Sequence, residues 1–168
     1  MVSATEPDWK REQTQHYWDP GRRLLASIRS YQRHANNGGL LAKFMAGIAI
    51  VRHRFWSVIT GADIPVNCQI GGGLKLPHPN GIVIHPGVEI GPNCLVFQQV
   101  TIGSNGKGTP TIGGHVDIGA GAKLLGPIKI GNHAKIGANA VVLCDVPEGG
   151  IAVGIPATVK QIIKEIDE

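Results

Sequence analysis

Aliphatic residues recur at every sixth position along the greater part of the chain. The series begins at Ile64, slips by two residues between Ile82 and Ile84, and resumes at Ile112 after an insertion. Its members are Ile64, Ile70, Leu76, Ile82, Ile84, Ile90, Val96, Ile102, Ile112, Ile118, Leu124, Ile130, Ile136 and Val142. An α-helix repeats about every 3.6 residues and a half-buried strand about every two, so neither gives a period of six. The pattern predicts a coil built from stacked hexapeptides.

Each hexapeptide of such a coil supplies one short strand and one turn. Glycine often follows the aliphatic residue, and glycine adopts turn conformations that other residues reach only with strain. Three hexads make one triangular turn of about 18 residues, so residues 64–157 predict roughly five coils. A three-sided interior is narrow, which explains why only one of the eight aromatic residues, Phe97, lies after Trp56.

The first 60 residues follow a different pattern, which predicts helices. Asp19 followed by Pro20 is typical of a helix start, because aspartate caps a helix and proline suits its first position. A second helix is expected from about Leu40 to Ile59. The sequence therefore predicts a helical segment, a coil and a short tail, which span 1–60, 61–160 and 161–168.

Charge and cysteine content exclude several classes of protein. The net charge is +4, and all of it falls on residues 1–63, which carry nine Lys and Arg against five Asp and Glu. No run of five basic residues occurs, so no nucleic-acid partner is expected. Cys68, Cys94 and Cys144 are predicted to be small core residues in a reducing compartment rather than a disulfide scaffold. The chain lacks a secretory signal and a membrane-spanning stretch, which predicts a cytoplasmic protein.

Two breaks in the repeat are candidate sites of chemistry, because loops on a rigid scaffold often carry function. One is the segment just before the two-residue slip, in which His78 lies between Pro77 and Pro79. The other is a polar, glycine-rich insertion at 104–110. Asp63 precedes His78 by 15 residues, close to one coil, so the two are expected on neighbouring coils. A histidine oriented by a carboxylate is a suitable general base. A structural histidine fixed by two prolines is the alternative.

Two further histidines, His115 and His133, are 18 residues apart and are expected to stack in adjacent coils. Stacked histidines suggest a metal site, but a catalytic zinc ion usually has about three protein ligands. The pattern supplies no third ligand, so no metal is predicted. The remaining histidines are interpreted as surface or interhelical residues.

The segments IGAGAKLLGPIKIGNHAKIGANAVVLCDVP and AVGIPATVK carry a resemblance to a known family. They resemble the hexapeptide-repeat acyltransferases, and among these the serine acetyltransferases, over residues 62–160. The resemblance implies a mainly β fold, a left-handed parallel β-helix, with acetyl-CoA as co-substrate and no metal. It also implies a homotrimer whose active site lies at the subunit interface.

The resemblance assigns roles to individual residues. The segment 76–83 aligns without a gap with the family's catalytic segment, which places His78 at the catalytic base and Asp63 at its partner. The implied reaction is direct attack of an acceptor hydroxyl on the thioester of acetyl-CoA. The family binds coenzyme A between subunits, and the matching positions are Gly103, Ala120, Lys135 and Ala138.

Departures from the family concern the acceptor. Pro77 replaces an acidic residue before the catalytic histidine, and Gly108 and Thr109 replace the basic end of the external loop. Asp19 matches a third acceptor-binding residue of the family. An amino-acid zwitterion needs charged partners when it is buried, so both L-serine and a neutral sugar hydroxyl stay open as acceptors. The short helical segment favours a trimer over a hexamer, and no complex with cysteine synthase is expected.

Two other classes of protein share this coil. A zinc enzyme of the γ-carbonic-anhydrase type requires a third histidine ligand, typically with an H-x4-H pair, and no such pair occurs in this sequence. An inert assembly module requires no chemistry at His78. Replacing His78 discriminates between such a module and the predicted O-acetyltransferase.

Overall fold

Two α-helices precede the coil, as the sequence predicts. The computed structural model describes residues 2–35 and 37–160, in which α1 spans Pro20–Ala35 and α2 spans Leu40–Thr60. The predicted tail at 161–168 lies outside the described residues. None of the helices in the described ranges is long and apolar enough to cross a membrane.

Helix α1 lies against the first coil through its apolar side. Leu24, Leu25 and Ile28 are no more than 1% exposed, and their spacing of three and four residues places them on one face of the helix. Helix α2 packs on α1 and is tied to the coil by His53, whose Nε2 lies 2.8 Å from the carbonyl oxygen of Ile64. Both helices are thus fixed to the start of the coil.

Short strands build the coil, one for each hexad. In the described part of the chain they are β1 Gln69–Ile70, β2 Val83–Ile84, β3 Glu89–Ile90, β4 Leu95–Val96, β5 Thr101–Gly103, β6 Thr111–Ile112, β7 Asp117–Ile118, β8 Lys123–Leu125, β9 Lys129–Ile130, β10 Lys135–Ile136, β11 Val141–Val142, β12 Ile151–Gly154 and β13 Ala157–Lys160. In each strand up to β12, the first residue faces outward and the second is buried.

The strands form three sheets, one on each side of a triangular coil. The first sheet contains β1, β3, β6 and β9, the second contains β4, β7, β10, β12 and β13, and the third contains β2, β5, β8 and β11. Neighbouring strands pair in parallel, and Thr101 for example pairs with Val83 and Lys123. The exception is β13, which pairs antiparallel with β12. This last hairpin covers the edge of the second sheet, where unpaired backbone groups would otherwise be open.

The predicted aliphatic positions fill the interior. All fourteen members of the hexad series are buried, at 0% to 7% exposure. Cys68 and Cys94 are buried beside them, and none of the buried core residues in the described chain is aromatic. Phe97 is half-buried on the outside. The prediction for Cys144 is wrong, because it lies in the turn after β11 and its side chain is exposed.

The turns at two of the three corners contain left-handed residues in register. The corner between the first and second sheets, which we call the Asn93 corner, consists of 71–74, 91–94, 113–116, 131–134 and 147–150. The corner between the second and third sheets, which we call the His78 corner, consists of 77–82, 97–100, 119–122 and 137–140. Positive φ angles occur at Gly73, Asn93, His115, His133 and Gly149 in the former and at Gly81, Gln99, Gly121 and Asn139 in the latter. Glycine and asparagine dominate because they tolerate this conformation.

Residues 2–12 run across the Asn93 corner. Asn93 accepts a hydrogen bond from the N–H of Asp8 at 2.8 Å, and it donates to the carbonyls of Ser3 and Glu6 at 2.8 and 2.7 Å. A short 3-10 helix, Trp9–Glu12, follows directly. This packing leads the N-terminal segment from the Asn93 corner towards the start of α1.

Candidate active site

An open cavity lies at the His78 corner, where the first coil meets the helices. Its volume is about 690 Å³, which is within the range of small-molecule sites. His78 lines it together with Thr60 at the end of α2 and with Asp19 and Pro20 at the start of α1. His16, for which the sequence predicts a surface or interhelical position, also lines it. The cavity therefore joins one break in the repeat to the helical segment.

His78 is displaced outward by the slip in the repeat. Regular turns of this corner, such as 119–122, have four residues, whereas 77–82 has six. The extra residues leave Pro77 and His78 exposed, and the two flanking prolines restrict the local backbone. Side-chain hydrogen bonds of histidine in the described chain involve His53, His85, His115 and His133. Both ring nitrogens of His78 are therefore available to a ligand.

Asp63 flanks the same corner, one coil away from His78. Its N–H donates to the carbonyl of Ile82 at 2.8 Å and its carbonyl accepts from the N–H of Ile84 at 2.9 Å, which aligns it with Val83 of β2. Its side chain is exposed. The structure thus brings Asp63 and His78 to one side of the coil, and within the described ranges no hydrogen bond joins them.

The two buried cysteines are protonated thiols. Burial and, to a smaller extent, the Asp63 carboxylate raise the pKa of Cys68 to about 11. Burial also raises the pKa of Cys94 to about 11. At neutral pH neither residue forms the thiolate that a nucleophilic cysteine requires.

Asp19 lies in the cavity, where the sequence predicts an acceptor-binding residue. Its Oδ2 forms an ion pair with Arg22 Nη1 at 2.9 Å, and the two side chains are 17% and 23% exposed. The N–H of Gln15 also donates to Oδ2, at 3.4 Å. The charge of Asp19 is therefore balanced within the chain.

Two cationic side chains line the cavity without a carboxylate partner among the described residues. They are Arg11, from the 3-10 helix, and Lys75, from the first coil. Sequence reasoning missed both. The only signal for Lys75 is its outward position in the hexad, three residues before His78, and the sequence contains no signal that brings Arg11 to this corner.

The four positions matched to coenzyme A binding lie on different parts of the coil. Ala120 and Ala138 occupy the His78 corner in consecutive coils, where the N–H of Asn139 donates to the carbonyl of Ala120 at 2.8 Å. Gly103 ends β5 in the third sheet, and Lys135 is the exposed first residue of β10 in the second sheet. The two alanines thus share a corner with His78, whereas Gly103 and Lys135 lie on the adjoining sheets.

The second break in the repeat, 104–110, lies at the third corner of the coil. The Thr109 hydroxyl donates to the carbonyl of Gly87 at 2.7 Å, and the side chain of Asn105 accepts from the N–H of Lys107 at 3.0 Å. Within one chain, therefore, this loop and His78 are at different corners.

His115 and His133 stack at the Asn93 corner, as the 18-residue spacing predicts. Their Nδ1 atoms are 2.9 Å apart and their ring centroids 5.0 Å apart. Burial lowers the pKa of His115, which favours a neutral ring that shares a hydrogen bond with its neighbour. Across the described ranges no group of three or more His, Cys, Asp or Glu residues is arranged to hold a metal ion.

Part of the coil matches a known family of repeat proteins. The family model of the bacterial transferase hexapeptide (six repeats) matches residues 109–144. The serine acetyltransferase of Mycobacterium tuberculosis is 44% identical over 109 residues, which are 62% of this chain and 48% of that protein. The serine acetyltransferase of Helicobacter pylori strain J99 is 46% identical over 111 residues, 64% of each protein. The chain thus spans about half to just under two thirds of the length of these relatives.

Solved structures match most of the chain. A serine acetyltransferase in complex with CoA superposes with a TM-score of 0.72 at 34% identity, covering 86% of this chain and 58% of that one. A soybean serine acetyltransferase complexed with serine gives a TM-score of 0.70 at 36% identity, covering 84% and 57%.

The repeat and the structural similarity give the chain the fold of a hexapeptide-repeat protein, a left-handed parallel β-helix. The handedness, which the period alone does not establish, follows from this comparison. Within that class the chain is similar to the serine acetyltransferases in both sequence and structure, which confirms the predicted resemblance.

Proposed function

We propose that the chain is an acetyl-CoA-dependent O-acetyltransferase acting on the hydroxyl of a small polar acceptor. The observation that carries the proposal is the position of His78, exposed at a cavity of about 690 Å³ on a coil similar to that of serine acetyltransferases. The complex of one such relative with CoA supports acetyl-CoA as the donor.

His78 acts as the general base in this proposal. It removes the proton of the acceptor hydroxyl, and the oxygen attacks the carbonyl carbon of the thioester. The carbon–sulfur bond then breaks, the acetyl group stays on the acceptor oxygen, and the proton held by His78 passes to the departing sulfur. Asp63 orients the imidazole and stabilises its cationic form. Its place beside β2, one coil from His78, supports this role.

The donor is proposed to bind along the His78 corner. Ala120 and Ala138 have small side chains there, so the pantetheine arm can approach the backbone closely, and Gly103 extends this surface along β5. Lys135 offers an ammonium group for a phosphate. Because 104–110 lies at a different corner of the same chain, this loop could contribute to the site only from a neighbouring copy.

The acceptor is L-serine or a sugar hydroxyl. The names of the relatives support serine. Three features favour the sugar, and two of them concern charge: Pro77 replaces an acidic residue, and Asp19 is already paired with Arg22, so none of the described lining residues has a carboxylate free for the amine of serine. Trp18, 63% exposed on the cavity wall, presents an aromatic ring against which a sugar packs.

We propose that the chain assembles as a homotrimer and that helix α2 contributes to the contact between copies. Six of its apolar residues alternate at spacings of three and four positions, the pattern of a helix–helix seam. They are Leu41, Phe44, Ile48, Val51, Phe55 and Val58, and they are 39% to 82% exposed. At about 100 Å² each they present on the order of 600 Å² of apolar surface, approaching what one partner buries in a standard interface. Monomers seldom expose an apolar patch of that size.

The expected mass in solution is that of three chains of 17.8 kDa, measured by sedimentation velocity. Val51→Ser, in the middle of the seam, should shift the distribution towards smaller species, because it places a hydroxyl in an apolar contact. Lys43→Ser, on the same helix but outside the six-residue seam, should leave the mass unchanged. A monomeric wild-type protein at micromolar concentration would contradict the proposed assembly.

The activity is tested by the acceptor-dependent release of thiol from acetyl-CoA. L-serine, L-homoserine, glucose and N-acetylglucosamine are supplied in turn, and mass spectrometry identifies the acetyl ester that forms. Release above background is expected with at least one acceptor. Efficient turnover of L-serine would decide against the argument from Pro77, and the absence of acceptor-dependent release from every compound would contradict the O-acetyltransferase proposal.

A further inference from the structure

We propose that the acceptor carries an anionic group, a carboxylate or a phosphate, and that Lys75, supported by Arg11, binds it. This inference deepens the proposed O-acetyltransferase function and rests on it. The cavity contains the cationic side chains of Arg11, Arg22 and Lys75. Among the described residues that line it, the only carboxylate is that of Asp19.

The ion pair between Asp19 and Arg22 cancels one charge of each sign. The two side chains meet at 2.9 Å, and Arg22 Nε donates to the carbonyl of Arg11 at 3.3 Å. The remaining positive charge of the cavity therefore belongs to Arg11 and Lys75. Within the part of the chain that the structure describes, neither forms an ion pair.

Backbone carbonyls, rather than an acid, hold Arg11 in place. Its Nε donates to the carbonyl of Gly73 at 2.8 Å, and its Nη2 donates to those of Asn93 at 2.8 Å and Cys94 at 3.4 Å. Carbonyl oxygens orient a guanidinium without neutralising its charge. Among the described residues Nη1 has no hydrogen-bond partner. A fixed guanidinium with a free NH₂ group is preorganised for a carboxylate or a phosphate.

Lys75 lies next to Arg11 on the first coil. Its N–H donates to the carbonyl of Cys94 at 2.9 Å, the same oxygen that Arg11 reaches, and it pairs in parallel with Leu95. Because it has the outward position of its hexad, its side chain lies on the cavity wall, three residues before His78. Its ammonium makes no hydrogen bond in the described chain. Lys75 therefore offers up to three free donors beside the proposed catalytic base.

The charge of the cavity favours a different acceptor from the one that the sequence alone suggests. Pro77, Gly108 and Thr109 stand where the family has charged acceptor partners, and their neutrality favoured a neutral acceptor. Arg11 and Lys75 supply positive charge from two other segments of the chain. Because the described part of the cavity wall has no carboxylate free to bind an amine, the cavity suits an anion better than a zwitterion.

Coenzyme A is itself anionic, so its phosphates are a second candidate ligand for the same two cations. Steady-state kinetics separate the two cases. A contact with the acceptor affects the KM of the acceptor, whereas a contact with the donor affects the KM of acetyl-CoA.

Matched acceptors test the charge preference directly. Glucose, glucuronate and glucose 6-phosphate differ only at carbon 6, and L-serine differs from ethanolamine by its carboxylate. Within each series, the member with the added carboxylate or phosphate should have a kcat/KM about 10- to 100-fold above the member without it, and added salt should reduce the difference. A preference for the members without that anionic group overturns the inference and leaves the acetyltransferase function standing. Failure of every acceptor contradicts the function itself.

Lys75→Met keeps the apolar stem of the side chain and removes the ammonium group. The KM of a charged acceptor should rise about 10-fold or more, while kcat, the KM of acetyl-CoA and the turnover of neutral acceptors stay near wild type. Lys75→Arg should retain most of the charged-acceptor turnover. Lys129→Met is the matched control, because Lys129 has the same outward position in β9 and lies outside the cavity. An increase in the KM of acetyl-CoA alone, or equal losses with charged and neutral acceptors, overturns the inference.

Discussion

Replacing His78 by alanine is expected to lower the rate of acetyl transfer by about 10²- to 10⁴-fold, the range attributed to a positioned general base. Without the imidazole, no group in the proposed mechanism accepts the proton of the acceptor hydroxyl. The fold should be unaffected, because the side chain is exposed and makes no hydrogen bond to any residue described. Thiol release at saturating acetyl-CoA, with the best acceptor, measures the loss in kcat.

His34→Ala is the matched control, since His34 lies in the last turn of α1 and the cavity is at the first turn. This variant should retain the wild-type rate. Calorimetric titration of CoA into the His78→Ala protein should give a dissociation constant close to that of the wild type, which separates a lost base from a lost donor site. A His78→Ala protein that transfers acetyl at the full rate would exclude His78 as the base.

The coil was predictable because each hexad contains its own structural information. The inward aliphatic residue and the turn that follows it recur locally, so counting along the sequence was enough to assign the fourteen buried positions. The same count predicted the stacking of His115 and His133, because residues 18 apart occupy equivalent places in adjacent coils. The handedness required comparison with relatives, because the spacing of inward residues is the same for either hand.

The candidate site was predictable only in part. His78 was recognisable because the repeat breaks there, and the length of one coil placed Asp63 on the same side. Arg11 was not predictable, because it reaches the cavity only through the packing of residues 2–12 across the Asn93 corner, which follows no period. Lys75 resembles any other outward residue of a hexad. Its significance depends on where the helices dock.

Replacing Arg29 by methionine is expected to destabilise the folded protein by about 3–5 kcal/mol, the cost of removing one partner of a buried ion pair. Arg29 joins α1 to the first coil. Its Nε and Nη2 donate to the carboxylate of Glu12 at 3.0 and 2.8 Å, and its guanidinium also donates to the carbonyls of Ile70 and Gly71. The side chains of Arg29 and Glu12 are only 12% and 8% exposed. The substitution therefore leaves a nearly buried carboxylate without its counter-charge.

Urea unfolding followed by circular dichroism measures the loss in the free energy of unfolding. In thermal unfolding, the Tm should fall by roughly 10 °C. Lys43→Met, which removes an exposed cation from α2, should change stability by less than about 0.5 kcal/mol. The double variant Arg29→Met with Glu12→Leu should recover part of the loss, because an apolar pair needs no compensation for buried charge. Recovery is expected to be incomplete, since Glu12 also accepts a hydrogen bond from the N–H of Leu74 at 3.0 Å. An Arg29→Met protein as stable as the Lys43→Met control would show that the ion pair does not hold α1 to the coil.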